Sequence, residues 1–517
     1  MADDAELEQT IREQVEEWSS NSNECLNITL VRANGDVHAE FTPNFTYPIF
    51  GDDEAIFGYR DLAIDLTFAA HDMQPRVRIE SSKTFKAIGD IRPTDIKESL
   101  ADFLPEEAWD EGDGATDAKS FKPPGEKIHS YRRDGKNLEI WCASLADPAA
   151  KQLLENMQIL VPMFIEGGTT LQLEQDWTTQ RWKVFLLYSV EDSPQEDDSP
   201  YALVGYGTSY RLSTLPDRAK PDPVDVELLT SNEATKQQFF KELSPDLAAT
   251  LNNGAVKSPF DLPSRERLSQ FLILPPFQGS GHGQELYNTM YSHLTAPTNV
   301  REFTVEDPNE AFDDLRDVCD MCHLRRHYPD FNALRVNIDI PAAALAPKAN
   351  IPLDLIISGE ARDKIRRQAK MDKRQFGRLV EMHTLSFIPP LHRSKNRITK
   401  KENSTNPNDK AYFLWRLYAK HRIYVHNRDQ LLQLDAEERP EKVEGALDAV
   451  LEGYTEGLER IERAMERAEQ NGNGEAEAVG GAKRNARKRK VVNDEDEDDD
   501  EAVDNVGLNG SRKKAKA

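Results

Sequence analysis

The chain has 517 residues, more than the roughly 250 to 300 that one hydrophobic core usually organises, so two or three domains are expected. Its formal net charge of −26 repels nucleic acid and suits basic partners, though the same charge also serves plain solubility. No apolar run of about 18 residues is present to span a membrane, the start Met1-Ala2-Asp3-Asp4-Ala5-Glu6 lacks a signal-peptide pattern, and only four cysteines occur, so a soluble protein of a reducing intracellular compartment is expected.

The chain opens with an acidic helix, Ala5 to Trp18, and passes into short strands, Cys25 to Arg32 and Leu62 to Phe68. The sequons at Asn27 and Asn44 carry no meaning in an intracellular protein. A helical stretch, Ile96 to Trp109, and an acidic loop, Asp110 to Asp117, follow. Leu138 to Ala146 reads as a strand. Ala149 to Ile165 spaces its apolar residues by three and four, as a helix packed on a sheet does. Trp182 to Val190 and Ala202 to Leu212 have the content of antiparallel strands, and Leu268 to Leu274 and Arg301 to Val305 join them in a mixed sheet. Between the two pairs, residues 213–266 form a polar, Pro- and charge-bearing insertion with room for a short helix at Phe239, Phe240 and Leu243.

After Leu274 comes Pro275-Pro276-Phe277-Gln278-Gly279-Ser280-Gly281-His282-Gly283, and then helical spacing through Leu286, Met290 and Leu294. Glycines on a strand-to-helix turn let backbone N–H groups approach a ligand, and the first N–H groups of a helix lack internal partners; anions bind there. No Lys-Ser or Lys-Thr follows Gly283, which excludes a nucleotide P-loop. A dinucleotide fingerprint needs its third glycine one position later, but Asp307, 24 residues past Gly283, keeps that alternative open. Cys319-Asp320-Met321-Cys322-His323 has haem-attachment spacing, yet it continues a helix begun at Glu310 and has no second C-x-x-C to complete a zinc tetrahedron; a structural role is expected.

Beyond Pro329 the chain turns helical. Ile365 to Leu385 is rich in Arg and Lys, a basic loop spans His392 to Lys401, and Ala411 to Tyr424 places Phe413, Leu414, Leu417 and Tyr418 on one side. Val443, Leu447, Val450, Tyr454, Leu458, Ile461 and Met465 make a coiled-coil seam of about three heptads, packed either in cis or on a partner. From Asn471 charge blocks dominate and disorder is expected. Lys483 to Lys490 resembles a nuclear-import signal, Arg512-Lys513-Lys514 does so more weakly, and Asp494 to Glu501 is an unbroken acidic run.

Gln278 to Gly283 fits Q-x-x-G-x-G and resembles the coenzyme-A diphosphate loop of the GNAT superfamily of N-acetyltransferases. The stretch Ser269 to Gly283, with Phe303-Thr304-Val305-Glu306-Asp307-Pro308-Asn309-Glu310-Ala311-Phe312, resembles the catalytic subunits of fungal-like type B histone acetyltransferases. Phe50-Gly51-Asp52-Asp53-Glu54, Phe57-Gly58-Tyr59, Phe164-Ile165-Glu166, Arg181-Trp182 and Val204-Gly205-Tyr206 before Tyr210 follow in that family's order, so the resemblance covers roughly residues 25 to 430. It implies an α/β (α+β) fold: a mixed, mainly antiparallel GNAT sheet flanked by helices at 136–330, a small N-terminal α+β domain at 1–135, a C-terminal helical domain at 331–470 and a disordered charged tail at 471–517.

The resemblance further implies acetyl transfer from acetyl-CoA, with no metal, to lysines in the tail of free, newly made histone H4, and less to H2A, in histone deposition and chromatin assembly. It implies a WD-repeat histone chaperone subunit and histone H3–H4 chaperones as partners, no membrane and no direct nucleic-acid partner, and residence in cytoplasm and nucleus. An ε-ammonium of pKa about 10.4 must lose its proton before it can attack a thioester. The resemblance gives that task to Glu306, with Glu166 and Asp307 as sharers. Taken alone, Glu306-Asp307-Pro308 also reads as helix-capping chemistry. For the coenzyme the implied residues are Phe271, Leu272 and Ile273 along the pantetheine arm, Gln278, Gly279, Ser280, Gly281, His282, Gly283 and Gln284 at the diphosphate, and Asn309 and Phe312 opposite. For the tail they are Asp52, Asp53, Glu54, Trp182, Tyr210, Arg211 and Leu212, and Arg211 departs from the aromatic or amide residues of other members. The alternatives are an acidic histone-binding module without turnover and a GNAT enzyme for another amine.

Overall fold

The computed structural model describes residues 16–89, 91–110, 118–173, 177–192, 194, 198–214, 262–346, 349–398 and 406–477. Most of the acidic N-terminal helix, most of the 110–117 loop, nearly all of the 213–266 insertion, the end of the basic loop, and the import-like and acidic segments of the tail lie outside them. Residues up to Met465 belong to one compact unit; Glu466–Glu477, the described part of a second unit, is helical.

The first layer is a four-stranded sheet of β1 (Leu26–Val31), β2 (Val37–Phe41), β3 (Ala63–Ala69) and β4 (Pro75–Glu80), ordered β2-β1-β3-β4 with β1 and β3 parallel. Alternation fixes its inner face: Leu26, Ile28 and Leu30 of β1 and Ile64, Leu66 and Phe68 of β3 are buried. The helix expected over Ile96 to Trp109 is α1 (Ile96–Ala101) and a separate 3₁₀ turn, Glu106–Trp109, with Pro105 between them.

The central sheet is six-stranded. It comprises β5 (Glu126–Arg133), β6 (Lys136–Ser144), then, after α2 (Pro148–Met157) and α3 (Leu160–Phe164), β7 (Trp182–Val190), β8 (Tyr201–Ser213), β9 (Ser264–Ile273), and, after α4 (His282–Thr295), β10 (Val300–Val305). Their order is β10-β9-β8-β7-β6-β5, and every pair is antiparallel except β9 with β10. The mixed, mainly antiparallel sheet expected from the sequence is present. The single helix expected over Ala149 to Ile165 divides into α2 and α3, because Pro162 cannot donate to Gln158 and Val161 N–H bonds that carbonyl at 3.0 Å instead.

Both faces of the central sheet are buried, which is why β7 reads as a continuous apolar run. Val184, Leu186 and Tyr188 point into a core shared with the N-terminal sheet, α2 and α3, whereas Phe185 and Leu187 point into one shared with α4 and the C-terminal helices. At about 1.5 to 3 kcal/mol for each large apolar side chain fully buried, these two cores dominate the favourable side of folding.

The C-terminal helices are α5 (Glu310–His327), α6 (Gly359–Gln368), α7 (Lys373–Ser386), α8 (Pro407–His426) and α9 (Arg439–Glu477). The Ile365 to Leu385 stretch breaks at Lys370, whose φ is +52°, and Asp372 caps α7 by accepting from the N–H groups of Arg374 and Gln375. Helix α9 runs past Asn471, where disorder was expected to begin. Its seam packs in cis: Val443, Leu447, Tyr454, Leu458 and Ile461 are buried in the second core. Tyr454 Oη and Arg422 grip the fully buried Glu381 of α7 at 2.8 to 2.9 Å. Cys319 and Cys322 sit buried within α5, and burial pushes both thiols up.

Candidate functional site

Strands β9 and β10 run side by side only from Ser264↔Val300 to Leu268↔Val305, and the last bond of the fork is Glu306 N–H to the Leu268 carbonyl at 2.9 Å. Beyond it, β9 continues to Ile273 with β8 on one edge. Gln270 N–H and Leu274 N–H turn towards β8. By the alternation of a strand, Phe271 and Ile273 turn their N–H groups to the other edge, where β10 no longer pairs with them. The result is a wedge open along Ser269 to Ile273.

Glu306 stands at the apex of this wedge. Tyr210 Oη donates to its Oε1 at 2.9 Å, Ser269 Oγ donates to its Oε2 at 2.8 Å, and Arg267 Nη1 lies 3.6 Å from Oε1. Burial, and then the bond to Glu306, push the Tyr210 phenol up, so the hydroxyl keeps its proton and donates. With a third of its side chain still exposed, at 35%, the carboxylate is held yet reachable. The capping alternative is not what forms: Asn309 is the N-cap of α5, accepting from Phe312 N–H at 2.9 Å. Asp307 has φ +34°, so strain is stored next to Glu306.

Residues from several elements form the walls. The Trp182 and Tyr210 rings lie 4.5 Å apart across paired positions of β7 and β8. Arg211 donates through Nε to Glu266 Oε1 at 2.6 Å; burial pushes the Glu266 carboxyl up and Arg211 pulls it back. Its charge is therefore matched within the sheet. Leu212 is half-buried beside it. On the opposite wall Phe312 meets Phe271 edge to face at 5.1 Å. Leu272 faces the other way, into the core shared with the N-terminal sheet.

At the far end of the wedge lies the glycine turn. Gln278 Nε2 donates back to the Ile273 carbonyl at 2.8 Å. Gly279 and Gly281 have φ of +76° and +80°, and a Cβ on Gly283 would lie 2.8 Å from Leu315 Cδ1. The internal bonding of α4 starts with Glu285 N–H to the Gly281 carbonyl at 3.3 Å, so His282, Gly283 and Gln284 present N–H groups without an i−4 partner. His282 is buried, shares a hydrogen bond with Tyr131 Oη at 2.8 Å, and is held below its usual pKa by burial and by Arg133.

The remaining sequence-derived residues lie around these. Asp52 and Asp53 are exposed on a turn, but Glu54 faces inward: Oε1 accepts from Thr46 N–H at 2.7 Å and Tyr47 N–H at 3.1 Å, and Oε2 from Asn23 Nδ2 at 2.7 Å. The segment leading to that turn docks on α3 through Asn44 N–H to the Met163 carbonyl at 3.2 Å. Exposed Glu166 follows α3, in a loop whose Thr169 carbonyl accepts from Gln270 Nε2 at 2.9 Å. No hydrogen bond joins Glu166 or Asp307 to Glu306 among the described residues. Sequence reasoning missed Ser269 and Arg267 around Glu306, and Tyr131 and Arg133 beside the turn. Only the strand period offered a signal, since residues 267 and 269 are two apart.

Comparison with known proteins agrees along the chain. A family model described as "Histone acetyl transferase HAT1 N-terminus" matches residues 18–166, and one described as "Fungal HAT1, C-terminal" matches 344–386. The histone acetyltransferase type B catalytic subunit of Aspergillus oryzae is 38% identical over 476 residues, covering 87% of this chain and 88% of its own. That of Gibberella zeae is 38% identical over 477 residues, covering 87% and 93%, and that of Yarrowia lipolytica 31% over 461, covering 85% and 91%. With such identity along most of both chains, this protein belongs to the family of type B histone acetyltransferase catalytic subunits, a family of enzymes.

Proposed function

We propose that the protein transfers the acetyl group of acetyl-CoA to lysines in the tail of free histone H4, and to a lesser extent of H2A, by direct attack in a ternary complex. The observation that carries this reading is the placement of Glu306, gripped by Tyr210 and Ser269 at the apex of a wedge that leads to the glycine turn. Glu306 accepts a proton from the lysine ammonium, the freed nitrogen attacks the thioester carbon, and the carbon–sulfur bond breaks as the nitrogen's second proton passes to the departing sulfur, leaving an acetyl-lysine and the free coenzyme thiol.

The open edge of β9 suits the pantetheine arm. Phe271 and Ile273 offer N–H groups to it, one of which polarises the thioester carbonyl, while Leu272 supports the strand from behind and Phe312 and Asn309 close the opposite side. The N–H groups from Gln278 to Gln284 receive the diphosphate. No metal takes part in this reading. Trp182 and Tyr210, packed on each other, form one aromatic wall for the lysine stem, Arg211 and Leu212 line the groove, and Asp52 and Asp53 draw in a basic tail. Glu54 positions their turn, and Glu166 and Asp307 share in the electrostatics of the base. A WD-repeat chaperone subunit and H3–H4 chaperones are the proposed partners, and residence in cytoplasm and nucleus follows from the resemblance and the Lys483 to Lys490 block.

The test is acetyl transfer from labelled acetyl-CoA to free H4 peptide, to nucleosomes and to a small amine, with Glu306→Gln and Glu166→Gln beside the wild type. Transfer to the free peptide, lost by about 10²- to 10⁴-fold in Glu306→Gln, is the expected result. Transfer to nucleosomes alone, or a Glu306→Gln enzyme with near-normal turnover while Glu166→Gln is dead, overturns it.

A further inference from the structure

The tip of the β5–β6 hairpin sets two cations beside the glycine turn. Arg133 and Lys136 are direct antiparallel partners, so their side chains leave the same face of the ladder with Cβ atoms about 5 Å apart. Arg133 Nη1 donates to the Ser280 carbonyl at 2.9 Å and Nη2 to Glu285 Oε1 at 3.1 Å. A Cβ on Gly281 would lie 2.3 Å from Nη1, so the guanidinium covers the residue whose left-handed φ begins α4. Lys136 lies within electrostatic reach of both His282 and His38, holding each down after burial has done most of it. It also borders a polar cavity of about 340 Å³ together with Arg32, His38, Asn137, Glu191 and Asp192, though it makes no ion pair among the described residues.

This arrangement leaves Lys136 without a direct counter-ion among the described residues. The first turn of a helix already carries partial positive charge, and cations placed there cost free energy unless an anion offsets them. Glu285 pairs with Arg133, and Asp134 between the two cations acts on His282 against them, but neither carboxylate forms an ion pair with Lys136. The rest of the chain is strongly acidic, with 91 acidic residues to 65 Lys and Arg, so a cation pair at this spot is not the overflow of a basic surface. What completes the site is a ligand with more than one negative charge, and a guanidinium with donors to spare recognises phosphate oxygens.

We propose that Arg133 and Lys136 clamp the phosphates of the coenzyme's 3′-phospho-ADP end, an assignment that rests on reading the glycine turn as a coenzyme-A site. The backbone of the turn then supplies geometry, while the hairpin supplies charge. Arg133 also explains why position 281 takes no side chain: any Cβ there displaces the clamp.

The test is steady-state kinetics of the full chain at saturating H4 peptide with three thioesters: acetyl-CoA, 3′-dephospho-acetyl-CoA and S-acetylpantetheine. The double variant Arg133→Gln/Lys136→Gln should raise KM for acetyl-CoA by about 10- to 100-fold and that for S-acetylpantetheine by less than about threefold, and Arg133→Lys should recover part of the loss. If the Lys136→Gln effect vanishes with 3′-dephospho-acetyl-CoA, Lys136 holds the 3′-phosphate; if it persists, both residues hold the diphosphate, and either result supports the clamp. Equal losses with all three thioesters, or no loss with any, overturn it. A wild type that uses S-acetylpantetheine as well as acetyl-CoA refutes the coenzyme reading of the turn instead.

Discussion

Tyr210 and Glu306 lie 96 positions apart, yet the phenol of one donates to the carboxylate of the other at 2.9 Å, and Ser269 holds the second oxygen at 2.8 Å. A base held by two hydroxyls, one on each oxygen, is restrained in how it can turn.

Ser269→Ala should therefore lower kcat by about tenfold with little change in peptide KM, because only the chemical step depends on how the base is aimed. Tyr210→Phe should do the same and also raise peptide KM if the phenol meets the lysine stem. Rates on an H4 tail peptide decide the matter: a Ser269→Ala/Tyr210→Phe double variant with wild-type kcat removes these hydroxyls from the mechanism.

Gly281→Asp should raise the KM for acetyl-CoA strongly while the fold survives. A side chain at φ +80° is strained, its Cβ collides with Arg133, and a carboxylate repels the diphosphate. Coenzyme titration of the variant, with circular dichroism to confirm folding, gives the answer. An unchanged KM means that the turn holds no coenzyme.

Glu381→Ala should be among the most destabilising substitutions in the C-terminal helices. It leaves buried Tyr454 and half-buried Arg422 without their shared carboxylate, a loss of about 2 to 3 kcal/mol. Tyr454→Phe removes one bond and should cost about 1 kcal/mol. Denaturant midpoints measure both, and a Glu381→Ala protein as stable as wild type contradicts the role of this triad in fastening α9.

Stability should fall on acidification. Burial holds His38 and His323 down to about 4 and His383 down to about 3, against about 6.5 when unfolded. Neutral in the fold, they contribute stability that is complete above pH 6.5 and is lost as pH falls through 4 and towards 3, at about 1.4 kcal/mol for each tenfold difference in proton affinity between folded and unfolded chain. Asp320, raised to about 6 by burial, works in the opposite sense: its contribution is complete below about 3.9 and lost as pH rises through 6. Three groups outweigh one. Denaturation between pH 7.5 and 4.5 should show the slope, and His383→Gln should flatten it; an identical slope in that variant removes His383 from the account.

Much of the fold was legible because the central strands are buried on both faces. Trp182 to Val190 was read to the residue, since a strand with no solvated face has no polar alternation to blur its ends. Strand β5 was missed for the opposite reason: Glu126 to Arg133 is an edge strand, mostly solvated and polar, and looks like a loop. Helices were read too long wherever a proline was passed over, at Pro105 and Pro162. The glycine turn was legible because its chemistry is local. The grip on Glu306 and the approach of Arg133 to Ser280 were not, because they join residues 37, 96 and 147 positions apart and no local period encodes them. Glu54 misled in another way, since an acidic side chain beside two exposed aspartates gives no sign that it has turned inward to cap backbone N–H groups.

The central sheet, enclosed between two cores, has a consequence for how this enzyme can diverge. A substitution in the body of β6, β7 or β8 is judged by volume on whichever side it falls, and change there is confined to near-isosteric exchange. New specificity must arise where strands run out: the β5–β6 tip, the turn after β9, the fork at β10. Relatives with different tail preferences should differ at these margins and agree in the middle, so that the interior keeps the architecture while the rim is free to explore substrates.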